Sequence, residues 1–386
     1  MKQSLQDSYA PAHSRIRPQV FFDLFRTASS QLLIRTGAAV AFAWLPLMVL
    51  CALRGSATFV SFLRDYATQS RFLLVLPVLI LAEPPLHDRL ARVARHFETF
   101  LVPDQQRPKF QADWASFERL RHSVAVRVLL VVLTYVTAGW LGQYLSPNGA
   151  EFVPWLKGGG GFRFLSPAGT WAVFISYALL LYFTLLWLWR QVLWTRFLHQ
   201  TTRLSLRLIA AHPDHLGGLG FIEASLRGQL PFSFCLGVGL AGAVANRVFN
   251  EGERLMSFRH LPVILAVAVL LICVAPYSLF SGILMQTRRH GMFHYGAFAR
   301  AVGEQFEKKW LDRADKLDEE VLDVPDFSTT ADLYTMVSNI DSIRVIPVGM
   351  VDLYALIGVS LIPGIPVVIA SIPFDTVTED ALRLLF

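Results

Sequence analysis

Hydrophobic residues in this chain gather in long runs, not in the strict alternation of half-buried strands. About 20 apolar residues cross the hydrocarbon core of a bilayer. Seven runs approach that length: roughly 36–53, 70–86, 126–145, 169–189, 229–247, 261–284 and 351–372. The second ends at Glu83-Pro84-Pro85. The seventh carries Pro363, Gly364 and Pro366, which impose a kink, a break or a re-entrant turn.

Several stretches between the runs keep helical spacing. Residues 170–211 hold neither Pro nor Gly. They predict one helix of roughly 63 Å at 1.5 Å per residue, about twice the bilayer core. Along its distal part Arg196, Arg203 and Arg207 share one face, and Leu193, Phe197, Leu204 and Leu208 the other. Such an amphipathic stalk needs a partner. Three further stripes offer themselves: Trp114, Phe117 and Leu120; Tyr295, Phe298, Val302, Phe306 and Trp310; and Leu333, Met336, Val337 and Ile340. The four pieces are expected to bury their stripes against each other, with 312–326 as a loop.

The expected fold is therefore an all-α integral membrane protein with about seven transmembrane helices, whose helical cytosolic extensions form a bundle. A leader, 1–35, precedes a polytopic membrane domain, 36–386, with cytosolic insertions at 87–127, 190–228 and 285–350. Within the leader, 18–35 reads either as an interfacial helix or as an ordinary packed one. No cleavable signal peptide is legible, since the first apolar run lies behind a polar, basic leader.

Charge placement gives the orientation. With the N-terminus inside, the segments 1–35, 87–127, 190–228 and 285–350 hold 26 of the 35 Lys and Arg, and the opposite segments with their span ends hold 9. Positive residues stay cytoplasmic, so the expectation is N-terminus in and C-terminus out. Topology thus accounts for the net charge of +6 without a nucleic-acid partner. Only 17% of the residues are charged and 54% are hydrophobic, against about one quarter charged in soluble domains. Cys51, Cys235 and Cys273 all lie in apolar stretches and form no CxxC, so no disulfide framework or zinc site is implied.

Four stretches together resemble a family of uncharacterised bacterial multi-pass inner-membrane proteins with an HPD-x-x-GGLGF motif. They are LLVLPVLILAEPPL ending run two, HPDHLGGLGF after run four, YGAFARAVGEQFEKKWL after run six, and DFSTTADLYTMVSNIDSIRVIPV before run seven. The resemblance covers the chain from about residue 70 onward. It implies a bacterial inner membrane and supplies no catalytic residue.

Candidate chemistry is sparse. His212, Asp214 and His215, with Gly217, Gly218 and Gly220, read as a ligand site or as a structural junction in which Pro213 stops the helix and Asp214 caps the next turn. As metal ligands, His212, Asp214 and His215 would need help from His199, His290 or His294, the last two sharing a helix face. Glu83 is an ionisable group at membrane depth, and the sequence offers Arg89 or Arg92 as its partner. Tyr277, Ser278 and Ser281 form a polar cluster beside Pro276 that lines a pathway or satisfies freed carbonyls. Asn246 and Arg247 read as interfacial, and Gly158-Gly159-Gly160-Gly161 as a flexible loop.

No histidine sits mid-span, which removes a b-type haem, and no nucleotide fingerprint or catalytic motif is present. The cofactor stays unknown. Three functions remain open: an ion or small-solute channel or transporter component gated by the cytosolic bundle, a membrane-anchored sensor or scaffold, and a metal-dependent membrane enzyme. The partners expected are the lipid bilayer, further copies in a homo-oligomer, and a cytosolic protein.

Overall fold

The computed structural model describes residues 29–148, 154–157, 165–311 and 326–371. The expectations for 1–28, for the glycine run 158–161, for 312–325 and for 372–386 lie outside the described residues.

The described residues are mostly helical and hold no strand, only one isolated bridge between Lys157 and Leu165. Eleven helices organise them. They are α1 (Ser30–Leu53), α2 (Ser56–Leu63), α3 (Tyr66–Leu101), α4 (Arg107–Arg121), α5 (Val124–Asn148), α6 (Pro167–Thr202), α7 (Gly220–Phe249), α8 (Leu255–Cys273), α9 (Ser281–Phe306), α10 (Asp326–Asp341) and α11 (Met350–Ala370).

Six of them, α1, α3, α6, α7, α8 and α11, are long and apolar enough to cross a membrane. A seventh candidate is α4 with α5, bent by 44° where they meet. Each falls on an expected run. The seventh run stays one helix through its prolines by tightening into a 3₁₀ turn at Ile362–Gly364, which removes the donors Pro cannot supply from the helical ladder. Large apolar side chains face outward on these helices, among them Val128, Leu129 and Val132 on α5, Val263, Ile264 and Val267 on α8, and Ile365, Val368 and Ile369 on α11. That is the surface a hydrocarbon solvent requires and water would penalise.

Inside, two apolar clusters form. The smaller one gathers α1, α2, the start of α3 and α6 around Trp155, which is fully buried and meets the Phe62 ring edge-on at 5.3 Å. The larger holds the rest, with Trp187 stacked on Phe232 at 5.6 Å and Phe97 on Phe280 at 5.9 Å.

The long stalk is corrected. α6 ends at Thr202, and 203–219 runs on without helix. Its backbone donors are taken elsewhere: Ser205 N–H by Gln106 Oε1 at 2.9 Å, Arg207 N–H by the Leu101 carbonyl at 2.8 Å, and Ile209 N–H by Gly217 O at 3.1 Å. Arg203-Leu204-Ser205-Leu206-Arg207-Leu208 alternates polar and apolar, and the structure follows that period of two: Leu204 is buried, Leu206 and Leu208 half-buried, and Arg203, Ser205 and Arg207 exposed. An extended cord buries one side of such a sequence. Pro213 therefore stops no helix.

The expected single bundle is instead two helix pairs laced by this cord. α4 packs on α6, Trp114 and Phe110 meeting Phe197 at 5.3 and 5.4 Å. α10 packs on α9, where Leu333 and Ile340 are buried and Phe327 meets Phe306 at 4.9 Å. Small residues set that contact: Gly291 of α9 faces Ala210 of the cord and Ile340 of α10. The wider stripe anticipated on α9 and α10 is wrong at two positions, since Phe298 is 60% exposed and Met336 45% exposed.

The cord gives a first test. Leu204→Ala should lower stability by about 2 kcal/mol because the cavity lies in a packed core. Arg203→Ala should stay within about 0.5 kcal/mol, as exposed positions do. Thermal unfolding of detergent-purified protein measures both, and equal shifts would refute the alternating cord.

Candidate functional site

The cord closes on His212-Pro213-Asp214-His215-Leu216-Gly217-Gly218-Leu219-Gly220, and Asp214 is its centre. The carboxylate accepts three backbone N–H bonds: from Leu216 and Gly218 to Oδ1 at 2.9 and 3.1 Å, and from Gly220 to Oδ2 at 2.8 Å. His212 Nδ1 sits 2.8 Å from Oδ1. The chain must curl tightly to aim three alternate amides at one side chain, and His215, Gly217 and Gly218 take positive φ of 55°, 65° and 95°. Glycine supplies two of these without steric cost. Gly220 answers a different need: a Cβ there would lie 3.1 Å from Asp214 Oδ2.

The electrostatics follow. Burial pushes the Asp214 carboxyl upward, but the amides of Gly220, Leu216 and Gly218, with His212, outweigh it and hold the group below its ordinary value. Three amides and the His212 ring thus crowd the carboxylate, two of the amides and the ring at Oδ1 and one amide at Oδ2. His215 turns the other way, its Nδ1 2.6 Å from Ser342 Oγ, while its carbonyl accepts the Arg344 N–H at 3.1 Å. The HPD loop is thereby tied to the segment after α10.

That segment reaches a second cluster. Arg344 Nη1 lies 3.4 Å from Glu223 Oε1 and donates to the Val348 carbonyl at 3.3 Å. Arg227 donates through Nε to Asp352 Oδ1 at 2.8 Å and lies 3.9 Å from Glu223. Two carboxylates and two guanidinium groups thus alternate at the start of α7 and α11, and Asp352 is 3% exposed with Oδ2 unpartnered among the described residues.

Glu83 pairs with Arg190 of α6, and Arg121 of α4 stands 3.9 Å away. This corrects the expected pairing with Arg89 or Arg92, which share its helix; the partners come from other helices and were invisible to local spacing. The chain of charges continues outward from Arg121 to Glu118 at 3.3 Å and from Glu118 to His87 at 3.5 Å. Arg190 is 7% exposed, and its Nε and Nη1 have no hydrogen-bond partner among the described residues.

At the opposite end of α3 lies a knot that the sequence reading missed. Asp65 accepts from Thr68 N–H at 3.1 Å, Thr68 Oγ1 at 2.6 Å, Trp155 Nε1 at 3.1 Å and Asn246 Nδ2 at 2.7 Å. Asp followed three residues later by Thr, ahead of an apolar run, is a legible N-cap; the long-range donors are not. Asn246 is thus a bridge, accepting also from Ala67 N–H at 3.3 Å. Arg247 sits over the Phe258 ring, 3.7 Å from Glu253.

Tyr277 is fully buried and meets Ser225 at 2.8 Å, so its hydroxyl joins α7 to the turn before α9. Ser278 donates to the Ala275 carbonyl at 2.6 Å, and Ser281 is half-buried. The His290 and His294 rings touch at 4.2 Å. Among the described residues no three His, Cys, Asp or Glu side chains gather as a metal site, so His212, Asp214, His215, His290 and His294 are not brought together as a ligand set.

Compared with family models, curated proteins and solved structures, the chain finds no match in any of the three.

Proposed function

We propose that this chain is a bacterial inner-membrane protein, N-terminus in the cytoplasm, that serves as a membrane-anchored sensor or scaffold. Its working part is the module at the Asp214 end: α4 on α6 and α9 on α10, laced by the cord 203–220. One observation carries the reading. The carboxylates with bonded partners fall in two groups, Asp65 just ahead of α3, and Glu83 midway along α3 with Asp214, Glu223 and Asp352 toward the cord. Asp65 and Glu83 lie roughly 27 Å apart along the chain axis of α3, and past Thr68, which bonds Asp65, the buried residues between them, Phe72, Val75, Leu76 and Leu79 among them, are apolar. Charges arranged this way fasten the module to its anchor.

The orientation rests on the Lys and Arg asymmetry. A reporter fused after Pro103 should read cytoplasmic and one after Asn148 periplasmic; the reverse pattern would overturn it. A second reading, a channel or transporter component, draws on the unsatisfied nitrogens of buried Arg190 beside Glu83. Proteoliposomes separate the two. The scaffold reading expects ion and small-solute flux at the level of empty vesicles, whereas flux that Glu83→Gln abolishes would replace it with transport.

A further inference from the structure

One face of α9 is left open just past the membrane-spanning part of its chain segment. A groove of about 470 Å³ runs along it, lined by Gly282, Met285, Gln286, Arg289, His290 and Phe293. Their spacing of three and four places them on one helical stripe. The opposite stripe, Leu284 and Gly291, is buried against the rest of the molecule.

We infer that this groove binds an anionic phospholipid, with the headgroup phosphate on Arg289 and His290 and the acyl region along Met285 and Gly282. Charge comes first. The neighbouring cations of α9 are spent, Arg288 on Asp341 at 2.8 Å and Arg300 on Glu304 at 3.0 Å, whereas Arg289 has no carboxylate partner among the described residues. A free guanidinium fork matches a phosphate, and His290 adds an N–H donor in either protonation state.

Depth comes second. From Leu261 the helix and the 3₁₀ turn Ala275–Phe280 span about 32 Å, one hydrocarbon core. Gly282 therefore lies at the headgroup boundary. Helical side chains tilt toward their own N-terminus, so Arg289, about two turns further on, reaches back toward the bilayer, as long cations at an interface do.

Shape comes third. A Cβ at Gly282 would meet nothing within 4 Å, which leaves room beside Met285 for the glycerol and first methylenes. Phe293, 80% exposed and about one turn beyond Arg289, flanks the headgroup on the side away from the bilayer. A soluble anion would use the charge but not the apolar end at Gly282 and Met285.

The inference rests on the membrane-embedded reading, and the experiment keeps the two apart. Full-length protein is floated with vesicles of phosphatidylcholine alone or with phosphatidylglycerol, then extracted and its retained lipid counted by native mass spectrometry. The expected result is flotation with both and one phosphatidylglycerol retained over phosphatidylcholine. That retention should fall about fivefold in Arg289→Gln, less in Arg289→Lys, and not at all in Arg300→Gln. Phe293→Ser should weaken it while leaving Arg289 intact. Failure to float with either vesicle sinks the membrane reading itself. Flotation with equal retention of the two lipids, or an unchanged Arg289→Gln, overturns only the lipid site. Displacement by millimolar inorganic phosphate would assign the groove to a soluble anion. A cross-link from Gln286→Cys to another part of the chain would show the groove self-covered and overturn the lipid site.

Discussion

Gly237→Ala is expected to destabilise the fold by about 3 kcal/mol or more, or to prevent its accumulation. The added methyl would fall inside contact distance of the Ser360 carbonyl oxygen on α11, 2.8 Å from its carbon and 3.1 Å from the Ser360 Cα. These are backbone atoms, so no rotamer can swing away, and α7 and α11 must separate along their whole crossing. Overpacking typically costs about 1–3 kcal/mol, and a rigid obstacle sets the upper end. The control is two residues on. A Cβ at Gly239 meets nothing within 4 Å, so Gly239→Ala should be neutral or slightly stabilising, by up to about 1 kcal/mol of helix propensity. Expression level and thermal unfolding in detergent decide it. Equal behaviour of the two variants would mean that α7 and α11 do not cross at Gly237.

Asp214→Ala should cost about 3 kcal/mol. It strands the N–H groups of Leu216, Gly218 and Gly220, each worth about 1–3 kcal/mol when buried, less where water enters. The side chain is 19% exposed, which places the sum at the low end. Asp214→Asn keeps one acceptor oxygen and should cost about 1–2 kcal/mol. The sign of the pH dependence follows from the depressed carboxyl. Its contribution is fully present above the unfolded value of about 3.9 and is lost as pH falls through the lower folded value. The gap between wild type and Asp214→Asn should therefore narrow on acidification and be constant from pH 6 to 8. A gap that widened in acid would mean that Asp214 is not held by these amides.

Part of this arrangement was legible before folding was considered. The apolar runs mark the candidate spans because a bilayer-crossing helix is a property of about 20 consecutive residues. Glycines spaced around His-Pro-Asp-His mark a tight turn on a carboxylate because positive φ and side-chain caps are local demands. The end of α6 was not legible from helix propensity. Residues 203–211 contain no breaker, and the alternation from Arg203 to Leu208 that would have signalled an extended cord is short.

What the sequence determined by itself is thus the apolar runs that become the longest helices, most of their apolar faces, the charge asymmetry between the segments they separate and the turn around Asp214. Each is decided within one or two helical turns or one bilayer thickness. Only the tertiary structure decided that Glu83 pairs with Arg190, that Asn246 reaches Asp65 across 181 residues of sequence, that Gln106 and Leu101 take the donors which would have extended α6, and that Gly237 is crowded where Gly239 is free. The reason is common to all four. A buried polar group must find a partner, and close-packed helices leave no slack at their crossings. Which group or which glycine meets that demand depends on how distant elements are brought together.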